Sequence, residues 1–203
     1  MNVVFDLGAV LLAWEPTRLV QTHLPEHAPT EAAAAALGRA LFHHDDWMSF
    51  DCGMRSLDEA IARMARRLSL PADRLDAMLG TLGERLEPIA ATAELLDGLF
   101  ARREAGEALR LYYLSNMPAP YAQYLERTHA LFDLFEQGVF SSRVKMVKPE
   151  PAIFRRALET FGLAARDCVF LDDHEPNVAV ARAEGWRAIH FTDAAAARTA
   201  LGL

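Results

Sequence analysis

The sequence predicts an α/β fold: a parallel sheet with helices on both faces and a small helical block inserted after the first strand. Three observations carry this. Short apolar runs alternate with single helical stretches from Pro88 to the C-terminus, the pattern of a parallel sheet covered on both faces. One earlier apolar run, Val3 to Leu12, opens the chain. Between them, from about Pro16 to Pro88, the sequence reads only as helix.

The opening run holds one charged side chain, Asp6, and a glycine at position 8. It reads as a buried strand feeding a turn. Trp14-Glu15-Pro16 breaks the pattern, and Thr30-Glu31 opens an Ala-rich helix through Leu41. Ser56 and Glu59 have the spacing of a capping box, followed by a stripe at Leu57, Ala60, Ile61, Met64 and Leu68. Pro71 suits the first turn of another helix, with Leu75, Met78, Leu79 and Leu82 on one face. This makes a block of about four helices.

Ile89 to Ala105 is a helix ending near Gly106, and Leu109–Leu114 is a strand stopped by Ser115-Asn116. Ala119–Thr128 reads as helix and Gly138–Phe140 as a short strand. Pro151–Phe161 is a helix stopped by Gly162, and Cys168–Leu171 is a buried strand ending in Asp172-Asp173. A helix from Asn177 to Glu184 stops at Gly185. A last strand, Arg187–Phe191, precedes an Ala-rich helix.

Composition bounds the function. The chain has 203 residues, 52% hydrophobic and 24% charged, with a net charge of −7. That is a globular balance, and it argues against a nucleic-acid surface. Cys52 and Cys168 lie far apart, which suggests a reducing compartment with no disulfide framework. No apolar run reaches the ~18 residues of a membrane span, and the N-terminus lacks a basic leader. The expected location is cytoplasmic, with no membrane partner.

Three strands end in polar groups: Asp6, Ser115-Asn116 and Asp172-Asp173. In an open parallel sheet the carboxyl ends of the strands share one crevice. Pro149 keeps Lys148 out of helical conformation and places an ammonium on the same edge. Singly, each group has an ordinary reading: a turn and N-cap at Ser115-Asn116, a solvated Lys148, a helix cap at Asp172-Asp173. Adjacent carboxylates after an apolar strand repel, and a hard divalent cation relieves that.

Together the groups suit phosphoryl transfer. Asp6 is the candidate nucleophile, forming an aspartyl-phosphate. Asp6 and Asp173 offer oxygens to Mg²⁺, and Asp172 holds a water on the metal. The Ser115 hydroxyl and the Asn116 backbone N–H bind the transferring group. Lys148 bridges Asp6 and the phosphate and keeps Asp6 ionised.

Four stretches, Phe5-Asp6-Leu7-Gly8-Ala9-Val10-Leu11, Leu114-Ser115-Asn116, Lys148-Pro149-Glu150-Pro151-Ala152-Ile153-Phe154 and Phe170-Leu171-Asp172-Asp173, resemble the four ordered motifs of the haloacid dehalogenase superfamily. The resemblance spans the whole chain. It implies a Rossmann-like core over residues 1–15 and 88–203, and a type 1 helical cap over 16–87. It implies a Mg²⁺ site that includes the Gly8 carbonyl, and support of the acidic pair by Asn177.

One position departs from the family pattern. Most phosphatases of the superfamily carry a second Asp two residues after the nucleophile, as general acid and base. Here Gly8 stands there, removing a function worth ~10²–10⁴ in rate. The Asp-Leu-Gly form is similar to a subgroup of sugar-phosphate phosphatases active on glucose 1-phosphate. Glu15, His43, His44, Asp45 and Asp46 are candidates to replace the missing acid. The run His43–Phe50, with Trp47 at its centre, mixes polar and aromatic groups suited to a sugar ring. Glu15, His43, Asp46 and Trp47 are therefore the expected specificity residues, and a small phosphorylated metabolite, a sugar phosphate first, is the expected substrate. A 2-haloacid dehalogenase using the same Asp, and a non-catalytic anion-binding protein, are the alternatives. The Asp172-Asp173 pair speaks against the first, since those dehalogenases need no metal. The intact charge cluster speaks against the second.

Overall fold

A computed structural model describes residues 1–203. Five parallel strands, β1 (Asn2–Phe5), β2 (Arg110–Ser115), β3 (Gln137–Phe140), β4 (Cys168–Asp172) and β5 (Arg187–His190), form one sheet in the order β3-β2-β1-β4-β5. The central β1 sets Val3 beside Leu111 and Val169, and Phe5 beside Tyr113 and Leu171. Side chains alternate between two apolar cores. Val3, Phe5, Leu111 and Leu171 point into one. Val4, Tyr112, Leu114 and Phe170 point into the other. Both faces are thus buried, which is why these strands read as continuous apolar runs.

The segment between β1 and the next core helix is wholly helical. It comprises α1 (Pro16–His23), α2 (Glu31–Phe42), α3 (Asp45–Asp51), α4 (Leu57–Leu68), α5 (Ala72–Leu79) and a 3₁₀ turn at Leu82–Arg85. The capping box is present: Glu59 N–H donates to Ser56 Oγ at 3.2 Å, and Ser56 N–H donates to Glu59 Oε2 at 2.8 Å. α6 (Ala90–Glu104) and α7 (Ala119–Thr128) pack on the first core, with α11 (Ala194–Leu201) beside them. A short α8 (Ser141–Val144) follows β3. α9 (Pro151–Phe161) and α10 (Glu175–Ala183) cover the opposite face.

The differences from the sequence reading have physical causes. The opening run is not one long strand, because β1 ends at Phe5. The Leu7 carbonyl then accepts from the N–H groups of Val10, Leu11 and Leu12 at 3.2, 2.8 and 2.7 Å, folding the chain into a loop. Val10, Leu11 and Leu12 are fully buried under the helical block, so the apolar run reports burial and not extension. The block has five α-helices, since Asp45–Asp51 forms its own. Pro71 sits at the N-cap of α5, and Leu82 falls in the following 3₁₀ turn. α10 starts two residues earlier than expected, at Glu175.

Candidate active site

The strand order reverses direction between β1 and β4, and that switch point at the carboxyl edge is where a doubly wound sheet opens a crevice. Asp6 is the first residue past β1, Asp172 the last of β4, and Ser115 the last of β2. Lys148 arrives from the loop before α9 and Asn177 from the first turn of α10. Local folding therefore delivers all five to one place.

Lys148 is buried, and its Nζ spans two carboxylates: Asp6 Oδ1 at 2.8 Å and Asp172 Oδ2 at 2.7 Å. Its backbone is clamped by the Asn116 side chain. Lys148 N–H donates to Asn116 Oδ1 at 2.8 Å, and Asn116 Nδ2 donates to the Lys148 carbonyl at 3.0 Å. The Asn116 side chain is thus occupied in locking the lysine loop to β2. The Ser115 hydroxyl makes only a long 3.4 Å bond to the Asn116 carbonyl, so it can turn to an incoming acceptor.

Asp6 Oδ1 also accepts from the Leu7 N–H at 2.7 Å. Both of its fixed donors fall on one oxygen, and Oδ2 is left to react. Asp172 is saturated: Oδ1 accepts from the His174 N–H at 2.8 Å, and Asn177 Nδ2 reaches both oxygens at 3.0 Å. Asp173 lacks such partners and is the more open of the pair. One oxygen from each of Asp6, Asp172 and Asp173 lies within 4.8 Å of the others.

The electrostatics follow from crowding. Burial pushes the Asp6 carboxyl up to about 7, with Lys148 pulling it down and Asp172 pushing it up. Desolvation and the Asp172 charge raise Asp173 as well. Burial works to discharge Lys148, but Asp172 and Asp6 more than offset it, so the ammonium is held above its ordinary value. A single cation among three carboxylates leaves excess negative charge.

Asp6, Lys148 and Asp173 floor a cavity of about 350 Å³ whose other wall is the helical block. Phe42, Trp47, Met48, Leu82 and Leu86 come from that block, with Trp14 and Tyr121 at the sides. Trp47 packs edge-on against Phe42 and Phe50, with ring centroids at 4.9 and 5.5 Å. His43 lies on the rim, its ring centroid 6.2 Å from that of His174.

The model of the haloacid dehalogenase-like hydrolases matches residues 2–185. The chain belongs to this family. Among curated proteins, the chain is 28% identical to a sesquiterpene phosphatase, AstK of Aspergillus oryzae, over 95% of this chain and 90% of that protein. It is 30% identical to a drimenol cyclase, DrtB of Aspergillus calidoustus, over 93% of this chain but only 33% of the larger protein. Among solved structures, the haloacid dehalogenase-family enzyme BT-2542 of Bacteroides thetaiotaomicron, in complex with magnesium and inorganic phosphate, aligns with a TM-score of 0.70 at 22% identity, over 95% and 94% of the two chains. The L-2-haloacid dehalogenase RSc1362 aligns with a TM-score of 0.70 at 20% identity, over 92% of this chain and 84% of that one. At these identities the structural likenesses establish the shared Rossmann-like fold.

Of the cap residues expected from sequence, His43 and Trp47 line the cavity. Asp46 and Glu15, contrary to the sequence expectation, do not. Asp46 is buried in the helical block, where Arg63 Nε and Arg67 Nε meet its two oxygens at 2.7 and 2.8 Å. Burial alone would raise its carboxyl, but the Arg67 and Arg63 hydrogen bonds win and lower it. Glu15 pairs with Arg18 at 3.1 Å on the wall of a different cavity. His44 caps α3 by accepting from the Asp46 N–H, and Asp45 sits in the first turn of that helix outside the cavity lining. One lining carboxyl was missed from sequence: Asp51, the last residue of α3. Its signal was the spacing from Trp47, four residues earlier and so on the same helix face.

Proposed function

We propose that this chain is a Mg²⁺-dependent phosphatase that cleaves monoesters of apolar alcohols through an aspartyl-phosphate on Asp6. The observation that carries the reading is the junction of two surfaces. Asp6, Lys148 and Asp173, with the buried Asp172 behind Lys148, form the floor of a cavity whose remaining wall is mainly aromatic and aliphatic. A phosphate suits the floor, and an apolar group suits the wall. The similarity to a sesquiterpene phosphatase over nearly the full length of both chains supports the same substrate class. The sugar-phosphate expectation gives way because a sugar wants several polar side chains. Among the cavity-lining residues of the helical block, only His43 and Asp51 are polar.

Mg²⁺ fits the donor set, which is all oxygen, crowded and under-neutralised by its one ammonium. Asp6, Asp173 and the Gly8 carbonyl would hold it, with Asp172 orienting the site from behind. Bound there, the ion would supply neutralising charge to the transferring phosphoryl group. The chain's own residues do the rest. Lys148 favours the ionised form of Asp6 against its burial and offsets the repulsion between an anionic nucleophile and an anionic ester. Asp6 Oδ2 attacks phosphorus while the Ser115 hydroxyl and the Asn116 N–H donate to the phosphoryl oxygens. Water then cleaves the acyl phosphate and restores Asp6.

In this reading residues 1–15 and 88–203 are the catalytic core and 16–87 the substrate-selecting cap. The two free thiols and the absence of a helix long and apolar enough to cross a membrane are compatible with a cytoplasmic site. The haloacid dehalogenase reading is favoured by Gly8 alone and opposed by the acidic trio. The test is hydrolysis of farnesyl phosphate, glucose 1-phosphate and p-nitrophenyl phosphate, with Mg²⁺ and with EDTA, beside L-2-chloropropionate. Phosphate release that needs Mg²⁺ and favours the farnesyl ester is expected. Chloride release that survives EDTA, without phosphate release, overturns the reading.

A further inference from the structure

An aliphatic alkoxide is a poor leaving group, and a phosphatase for such esters needs a proton donor beside the bridging oxygen. Gly8 offers none. We propose that Asp51 supplies it: the cap carboxylic acid protonates the departing alcohol and then, as carboxylate, deprotonates the water that hydrolyses the phosphoenzyme. The proposal rests on the phosphatase reading and assigns the residue that completes it.

The geometry singles out Asp51. It lines the cavity that also contains Asp6, Ser115 and Lys148, and it is only 8% exposed. It has no ion-pair partner, unlike Asp46 with its arginines. Its main chain is tied to the phosphate-binding edge. The Ser141 hydroxyl donates to the Asp51 carbonyl at 2.6 Å and accepts from the Met117 N–H at 2.8 Å. Met117 follows Asn116 directly, so α3 ends two hydrogen bonds from the strand end that carries Ser115. Lys145 adds a second tie by donating from Nζ to the Gly53 carbonyl. The acid is therefore positioned against the core although it belongs to the cap.

Its surroundings keep it protonated. Burial pushes the Asp51 carboxyl up to about 8; the Trp47 side chain and Lys148 oppose this, and Asp6 adds to it. The chemistry balances. As the Asp6 Oδ2–phosphorus bond forms and the phosphorus–oxygen ester bond breaks, the Asp51 proton passes to the ester oxygen and neutral alcohol leaves. In the second step water loses its proton to Asp51 as its oxygen bonds phosphorus. The Asp6–phosphorus bond breaks, phosphate leaves, and both carboxyl groups return to their starting states.

The test compares Asp51→Asn with wild type on dodecyl phosphate and p-nitrophenyl phosphate, both with Mg²⁺. The expected result is a fall of about 10²–10⁴-fold in kcat/KM for the alkyl ester, and less than about tenfold for the aryl ester, whose leaving group needs little help. Equal losses on both esters, or no loss on the alkyl ester, overturn the proposal. Wild type alone gives a second reading that needs no variant to fold. Across a series of aryl and alkyl phosphates, kcat/KM should depend weakly on leaving-group acidity, and a steep dependence overturns the proposal. Asp6→Asn should abolish turnover of both esters. If wild type cleaves neither, the phosphatase reading itself fails, and the role of Asp51 with it.

Discussion

Replacing Asp51 by Asn should make the protein more stable at neutral pH, and the size of the gain follows from where the carboxyl sits. In the folded chain burial holds Asp51 up to about 8, against 3.8 when it is free. The sign follows from proton counting. Between those two values the folded state keeps a proton that the unfolded state has released. Stability therefore falls as pH rises through this window, and the loss is absent below it. At pH 7 the cost has an upper limit of about 4 kcal/mol, from ~1.4 kcal/mol per pH unit. Asparagine has nearly the same shape and no proton to hold. An imperfectly paired buried amide costs about 1–3 kcal/mol, so the net gain at pH 7 is about 2 kcal/mol.

Urea unfolding of both proteins at pH 5, 6, 7 and 8, in EDTA, measures the difference directly. For a chain of this length each kcal/mol moves the melting temperature by roughly 2–4 °C, so thermal scans should agree. The gap should widen from pH 5 to pH 8 and vanish or reverse near pH 5. Asp6 titrates in both proteins and largely cancels in the difference, apart from its coupling to Asp51. A gap of equal size at pH 5 and pH 8 would show that Asp51 is not held protonated by its surroundings.

Other perturbations separate the roles of neighbouring residues. Lys148→Met leaves Asp6 and Asp172 buried without their cation, and should cost about 3–5 kcal/mol in urea unfolding as well as abolish turnover. Trp47→Ala removes an aromatic wall of the cavity, so KM for farnesyl phosphate should rise about tenfold or more while KM for p-nitrophenyl phosphate changes little. Asp46→Asn loosens the Arg63 and Arg67 pairs inside the helical block. Because both guanidinium groups reach solvent, it should cost only about 1–2 kcal/mol, with kcat on p-nitrophenyl phosphate unchanged. EDTA should stop phosphate release, and added Mg²⁺ should restore it.

The core was legible because its signals are local. Apolar runs such as Cys168–Leu171 have few ways to be buried, and a polar residue at the end of such a run lands on the sheet edge whatever the loops do. Asp6, Ser115 and Asp173 were placed at the crevice that way, and Lys148 by the proline that follows it. The cap was less legible because its residues are sorted by tertiary packing. Asp45 and Asp46 are neighbours of the same type, yet one lies in the first turn of α3 and the other is locked between arginines from α4. Arg63 and Arg67 follow Asp46 by 17 and 21 residues, and nothing in the spacing announces the pairing. The run from His43 to Phe50 drew attention for its density of polar and aromatic groups. Asp51, one residue further, drew none, although its spacing from Trp47 puts it on the same helix face. What that spacing does not show is the missing cation, which becomes visible only once every arginine and lysine has been placed.

The division of labour between core and cap has a consequence for how turnover is controlled. Asp6, the proposed nucleophile, stands at a strand end and cannot move far without disturbing the sheet. The proposed proton donor stands on a helix end, held by Ser141, Lys145 and the turn at Gly53. That turn has no slack. Gly53 has φ +66°, and a Cβ there would approach Lys145 Nζ to 2.6 Å and the Ser142 carbonyl to 2.8 Å, so only glycine lets the chain close against α8. Tyr121 makes a further tie on the other side of the cavity, donating to the Leu79 carbonyl at 2.7 Å. With Asp51 as the donor, the proton would reach the leaving group only while this seam is closed over the substrate. An acid on the cap in place of one at Gly8 would thus make cleavage of an alkyl ester conditional on a seated cap, whereas a second carboxylate beside Asp6 would act whether the cap was seated or not.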